Sequence, residues 1–319
     1  MSNLHEEIKA ALSTAERILV TSHIRPDGDA IGSTLAFGLA LLDAGKQVQM
    51  VLADGVPAAF RHLPGSEKVQ TQPEGPVDFI ITVDCSEPKR VGDVLDGYGQ
   101  PDLVVDHHIS TEPFGRFNVI EPTAAATASL LTRFLPVWGL TITPPIAANL
   151  ITGLVTDTLG FRTSSTTPET LRQAADLLEL GVDMSSLYFR SLVRRTFSAV
   201  KYWAAGLASL QRADGIIWGT LTLADREAAG YNANDDADLI NIVSSIDDAD
   251  IAIMFVEQSP QKTKVSWRGL KPHIDVSQIA RQFGGGGHRA ASGAEVAGSL
   301  HEVQQKILAA TRRYLNQPH

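Results

Sequence analysis

Four short stretches of this 319-residue chain carry side chains able to hold cations: His23, Asp27 and Asp29 in SHIRPDGD, Asp84 after FIITV, Asp106, His107 and His108 after LVV, and Asp157 in GLVTDTLGF. The carboxylates Asp27, Asp29, Asp84 and Asp157 and the imidazoles His23 and His107, gathered in one crevice, would repel one another and raise the carboxylate pKa values unless cations neutralised them. Two divalent ions balance that charge. Oxygen and imidazole ligands without thiolate suit Mn2+, with Mg2+, Co2+ or Fe2+ as competitors, so two Mn2+ ions are the expected cofactor. Ions about 3.5–4 Å apart can share a water, lower its pKa, and clamp attacking and leaving oxygens, so the chemistry expected is metal-assisted hydrolysis. The single cysteine, Cys85, excludes a disulfide framework and a thiolate metal site.

The surrounding elements must bring these stretches together. Residues 17–22 (RILVTS) read as a strand, followed by a polar turn and an apolar helix over 30–44 closed by Gly45. Residues 48–52, 79–83 and 103–105 read as further strands, and continuous apolar strands alternating with helices predict a parallel sheet covered on both faces. In an open parallel sheet the carboxyl ends of the strands line the ligand crevice, so separate strand-end clusters converge there. One aspartate at a strand end is usually a cap or turn former; here the convergence carries the functional reading.

From 124 to 181 the pattern is helical, with Pro144 and Pro168 placed to start helices and Gly181 to end one. After about residue 190 the composition changes: a helix over 196–210, strands over 216–223, 251–256 and 263–267, a glycine-rich segment, and a helix over 300–315. The expected architecture is therefore α/β: a parallel-sheet N-terminal domain with helices on both faces over 1–190, a helical connector over 191–210, and a smaller α+β domain over 211–319. Ligands are expected in the interdomain cleft.

Lys and Arg total 27 against 36 Asp and Glu, a net charge of −9, which argues against a broad basic face for long DNA or RNA; a nucleic-acid substrate should be short. Residues 1–10 include Glu6 and Glu7 and no apolar run, and no stretch approaches the ~18 apolar residues of a membrane span, so a soluble, cytoplasmic protein is expected.

Taken in order, SHIRPDGDAIGS (22–33), VDCSEP (83–88), VVDHH (104–108) and GLVTDTLGF (153–161) resemble the four motifs of the DHH phosphoesterase superfamily. FGGGGHRAASG (283–293) resembles the glycine-rich motif of its DHH-associated C-terminal domain. The whole is most similar to the nanoRNase and pAp-phosphatase branch, Mn2+-dependent hydrolases of very short oligonucleotides and of adenosine 3′,5′-bisphosphate (pAp). The resemblance implies that His23 and Asp27 hold one metal and Asp29 and His107 the other, with Asp84 bridging and Asp157 completing the shell. It further implies that Asp106 orients the histidines and that His108 faces the substrate phosphate. Arg268 and His288 would hold substrate phosphate, and Gly285, Gly286 and Gly287 would let backbone N–H groups approach an anion.

The implied substrates are pAp and RNA of about two to five nucleotides, which need few phosphate grips, with no long duplex DNA and no membrane. The resemblance also implies a homodimer formed through the first domain. Two positions depart from the pattern: Gly269, where relatives often carry a hydroxyl, and Ser292, where alanine is common. The alternatives are hydrolysis of pApA or a cyclic dinucleotide, and, as a non-enzyme, a nucleotide sensor, against which the complete ligand set argues. Family II pyrophosphatases share the metal motifs but are usually lysine-rich where this chain has GGGGH. Cys85 is read as a packed thiol.

Overall fold

A computed structural model describes residues 2–316; Met1 and residues 317–319, the ends of the two expected domains, lie outside the described residues. The chain divides after Arg194 into two compact units.

In the first unit, helix α1 (Ser2–Thr14) precedes β1 (Arg17–Thr21), α2 (Gly28–Asp43), β2 (Gln47–Val51), β3 (Phe79–Val83), β4 (Leu103–Asp106) and β5 (Phe117–Ile120). Helices α3 (Thr127–Val137), α4 (Pro144–Asp157), α5 (Pro168–Glu179) and α6 (Met184–Tyr188) follow. The five strands are parallel, in the order β2-β1-β3-β4-β5. Ile18, Val20, Ile81 and Val83 join Ile8 and Leu12 of α1, Phe37 of α2 and residues of α3 and α4 in one core. The intervening Leu19 and Ile80 pack with Cys85, Val91 and Val94 on the opposite side. Coverage on both sides explains why these strands read as unbroken apolar runs rather than alternating ones. Three elements escape the sequence reading: α1, whose opening is polar, the short edge strand β5, and the short helix α6.

Glycines bring the helices close. A Cβ at Gly32 in α2 would lie 2.4 Å from the carbonyl oxygen of Asn149 in α4, and one at Gly28 would lie 2.3 Å from Thr156 Oγ1. Real Cβ atoms do not approach so near, so side-chain-free positions set the α2–α4 separation. Pro144 opens α4 as its spacing predicts, and Asp157 is the last residue of that helix.

The second unit contains α7 (Phe197–Ala208), β6 (Gln211–Ala213), β7 (Ile216–Leu221), α8 (Leu223–Ala229), α9 (Leu239–Val243), β8 (Ile251–Ser259) and β9 (Lys262–Gly269). It continues with α10 (Ser277–Arg281), β10 (Gly286–Gly287), β11 (Ala291–Ala297) and α11 (Leu300–Leu315). Its sheet runs β10-β11-β9-β8-β7-β6, with only β7 and β8 parallel. One side of the sheet packs on Ile279, Val303 and Ile307, and the other packs on Tyr202, Leu239, Ile240 and Val243. Tyr202 shows that α7, inside the stretch expected to be a connector, is part of this core. Strand β7 stops two residues before the expected Leu223 because Thr222 caps α8, its hydroxyl bonding the Asp225 N–H while the Asp225 carboxylate accepts the Thr222 N–H. The glycine-rich segment contributes two strands to the sheet, where the sequence reading assigns none.

Candidate metal centre

The chain leaves β1 for β2 on one side and returns to β3 on the other, so β1 and β3 flank the point where the strand order reverses. Ligand crevices form outside the carboxyl ends at such points. His23, Asp27 and Asp29 follow β1, Asp84 follows β3, Asp106 ends β4, and His107 and His108 come next. His23, Asp29, Asp84, Asp106 and His107 are each no more than 5% exposed.

The side chains form two groups around one carboxylate. His23 Nε2 lies 3.9 Å from Asp27 Oδ2 and 3.6 Å from Asp84 Oδ2. His107 Nε2 lies 3.9 Å from Asp29 Oδ2, 3.6 Å from Asp84 Oδ1 and 3.5 Å from Asp157 Oδ2. Asp84 thus presents one oxygen to each imidazole. Its Oδ2 is buried and has no hydrogen-bond partner. The ring tautomers follow from their other neighbours. His23 Nδ1 lies 2.8 Å from the Ile24 carbonyl and His107 Nδ1 lies 3.3 Å from the Ala124 carbonyl. A carbonyl only accepts, so each Nδ1 carries a proton, which leaves Nε2 as the ring nitrogen that faces the carboxylates and that a metal would take.

Each carboxylate is held by a second device. Asp27 caps α2, its Oδ1 accepting the N–H groups of Asp29 and Ala30 at 3.1 Å while Oδ2 turns towards His23. Helix α3 has no side-chain cap of its own. Asp29 supplies one through space, Oδ2 accepting the Thr127 N–H at 2.6 Å and Oδ1 the Ala128 N–H at 3.0 Å, with Ser33 Oγ also donating to Oδ1 at 3.2 Å. The exposed amides of a helix start favour an anion there. Thr127 Oγ1 donates to Asp84 Oδ1 at 3.0 Å. Asp106 is fully buried, bonded to His108 Nδ1 at 2.8 Å and to the Thr111 hydroxyl. Asp84 has a φ of 51°, left-handed backbone that costs a non-glycine residue energy and concentrates at functional sites.

The electrostatics are those of an under-neutralised acidic nest. Burial first, then the neighbouring carboxylates, push Asp29 and Asp157 well above the usual range. Burial would raise Asp84 too, but three surrounding imidazoles outweigh it and hold this carboxyl ionised far below its ordinary value. His108 shows the converse: burial alone lowers it, yet Asp106 and Asp84 push it up to about 9. One ionised carboxylate shared by two sets of oxygen and imidazole donors, with no thiolate, can accept a pair of divalent cations of the Mn2+ or Mg2+ type.

In the second unit, Arg268 lies on β9, its Nη2 donating to Asn241 Oδ1 at 3.3 Å and its Nη1 to the Trp267 carbonyl at 3.1 Å. Burial lowers its pKa, while Asp236 and Asp238 raise it. The glycine run is constrained rather than loose. A Cβ at Gly285 would lie 2.2 Å from the Gly293 carbonyl oxygen, and at Gly287, whose φ is 134°, a Cβ would lie 2.6 Å from the Ala291 carbonyl oxygen. Gly286 and Gly287 pair with Gly293 and Ser292. Ser292, the departure from the family pattern, donates its hydroxyl to the His288 carbonyl at 2.8 Å and so braces the turn. At Gly269, the other departure, a Cβ would lie 3.0 Å from Ile274 Cγ2, so a side chain there needs that neighbour to yield. Sequence reasoning misses the roles of Ser33, Thr111, Thr127 and Asn241; Ser33 closes the SHIRPDGDAIGS string but is given no role there, and only their hydrogen bonds reveal them.

Comparison with known proteins gives two domain matches: the DHH family, N-terminal domain, over residues 17–156, and the DHHA1 domain over 221–317. The chain is 33% identical over 314 residues to the bifunctional oligoribonuclease and PAP phosphatase NrnA of Thermus thermophilus, covering 93% of this chain and 90% of that one. It is 25% identical over 307 residues to the Bacillus subtilis protein of the same name, covering 91% and 92%. Among solved structures, an exopolyphosphatase-related protein from Bacteroides fragilis matches with a TM-score of 0.89 at 24% identity, over 99% of this chain and 98% of that one. RecJ of Thermus thermophilus in complex with Mn2+ matches with a TM-score of 0.51 at 16% identity, over 99% of this chain and 54% of that one. Both structural likenesses speak to the fold.

Proposed function

The chain belongs to the DHH family, and from that premise we propose that it is a metal-dependent phosphoesterase that hydrolyses short oligoribonucleotides to mononucleotides and pAp to AMP. The observation that carries the reading is Asp84, whose two oxygens face His23 and His107 separately while Oδ2 is buried without a hydrogen bond. A buried ionised oxygen left so is costly, and a cation is the partner its neighbours suit. His23, Asp27 and Asp84 would hold one divalent ion; Asp29, Asp84, His107 and Asp157 would hold the other, with Mn2+ the favoured metal. When bound, such ions supply positive charge for the phosphoryl oxygens and a water activated at neutral pH.

The remaining roles belong to the chain itself. His108, held by Asp106, offers its other ring nitrogen and a positive charge to a phosphoryl oxygen, stabilising negative charge as it develops. Asp106 has both oxygens engaged, by His108 and Thr111, so the ring is oriented before substrate arrives. Arg268, steadied by Asn241, and the Gly285–His288 turn are proposed to grip a second phosphate. A substrate of about two to five nucleotides fits a protein with few phosphate grips and a net charge of −9. Among the described residues, no helix is long and apolar enough to cross a membrane.

The test is hydrolysis, with Mn2+ added, of a 5′-phosphorylated RNA dinucleotide, of pAp, and of an RNA of roughly 24 nucleotides, several times the smallest single-strand footprint. Fast turnover of the first two, slow turnover of the third, and loss of all with Asp84→Ala is the expected result. Full activity in Asp84→Ala, or preference for the long RNA, refutes the proposal. Turnover of cyclic dinucleotides alone would redirect the assignment.

A further inference from the structure

Thr127 is fully buried at the first residue of α3, within the run Ala124–Ala125–Ala126–Thr127–Ala128. Its neighbours satisfy packing with methyl groups, so packing alone does not call for a hydroxyl. That hydroxyl has one proton, and it goes to Asp84 Oδ1. The same residue's backbone N–H goes to Asp29 Oδ2 at 2.6 Å. Thr127 is thus bonded to two of the acidic residues assigned to the metal centre, which arrive from different parts of the chain, after β1 and after β3.

We propose that the Thr127 hydroxyl is a positioning group that fixes the rotation of the Asp84 carboxylate, so that one oxygen faces each candidate metal position. The inference rests on the metal reading given above. The torsion about the Asp84 Cβ–Cγ bond is broad, with no strong preference of its own. The hydroxyl bond removes that freedom by engaging Oδ1, which still lies 3.6 Å from His107 Nε2, and leaves Oδ2 without a hydrogen bond 3.6 Å from His23 Nε2. A threonine suits the task because its β-branched side chain has few χ1 choices. The backbone N–H to Asp29 does not depend on the side chain, so a substitution separates the two contacts.

The test is Mn2+ binding by the full chain, stripped of metal and free of substrate, measured by titration calorimetry and by electron paramagnetic resonance of the unbound ion. Wild type and Thr127→Ser should bind two ions with similar affinity, whereas Thr127→Val, of nearly the same shape, should lose about 10–100-fold in affinity for at least one. The thermal midpoint in EDTA separates the alternatives: a residue needed only for packing would lower that midpoint and leave metal affinity intact. Should the valine chain fail to fold, Thr127→Ala, which also removes the hydroxyl, is held to the same expectation. Equal Mn2+ affinity in wild type and the folded hydroxyl-free variant overturns the proposal while leaving the metal reading in place. Absence of Mn2+ binding by wild type overturns the metal reading and the proposal with it.

Discussion

Gly153, inside α4, offers a test in which two known effects have opposite signs. Replacing a glycine in a helix interior by alanine ordinarily stabilises by about 0.5–1 kcal/mol. At Gly153 the added Cβ would lie 2.6 Å from the Ala128 Cβ and 2.6 Å from Asp29 Oδ1, well inside the about 3.5–4.0 Å at which such atoms attract. Neither neighbour yields easily. Ala128 is a short side chain on α3, and Asp29 Oδ1 is bonded to the Ala128 N–H and to Ser33. Overpacking of this kind costs about 1–3 kcal/mol, so Gly153→Ala should be destabilising by about 1–2 kcal/mol overall. In a unit that ends at Arg194, that corresponds to a fall of about 2–8 °C in the thermal midpoint. The relief also has a direction: either Asp29 rotates, or α4 shifts and carries Asp157, its last residue, with it. Both movements disturb the group facing His107, so Mn2+ affinity there should fall about tenfold or more. Calorimetry of the metal-stripped protein and an Mn2+ titration read the two effects. A midpoint that rises by about 1–4 °C with unchanged Mn2+ affinity would show that helix propensity wins and that the close contact is not restraining Asp29.

Two further expectations concern metal and substrate. Mn2+ at about 100 times its dissociation constant should stabilise the protein by about 2.7 kcal/mol per site; thermal melts with and without EDTA should therefore differ by at least about 5 °C, and coincident melts would contradict binding at this cluster. Arg268→Lys keeps the charge but loses the planar fork held against Asn241, so kcat/KM on a dinucleotide and on pAp should fall about 10-fold or more, mainly through KM. Unchanged kinetics on both substrates would remove Arg268 from the phosphate grip.

Much of the scaffold is visible in the sequence because burial on both sides leaves little choice of residue. The strands at 17–21, 79–83 and 103–106 are such runs, and Pro144 and Pro168 mark their helix starts. Helix α11, at Leu300–Leu315, has a capping box at Ser299 and Glu302. Helix α1 is hidden because Ile8 and Leu12 are its only buried large apolar residues in a polar stretch. Strands β10 and β11 are hidden because glycine, alanine and serine carry no β signal, and pairing with β9 decides their state. The candidate ligands are legible as acids and histidines that follow strands, with Asp157 at the end of a helix. Thr127, Thr111 and Gly153 are not, since a hydroxyl in an alanine run or a glycine in a helix acquires meaning only from what lies across the gap.

The left-handed backbone at Asp84 bears on how variants of this protein should be sorted. A glycine at that position would relax a backbone conformation costing about 1 kcal/mol and would relieve the repulsion that Asp84 exerts on Asp29 and Asp157, while giving up its pairing with the three imidazoles. At its backbone the proposed hydrolase therefore sits below the stability its fold could reach at this residue, and a chain that has lost the activity can outlast one that retains it. A library screened for heat resistance, soluble yield or protease survival would enrich such losses at Asp84. Enrichment there, opposite to the depletion expected at an ordinary buried position, would be the population-level trace of a residue kept for chemistry.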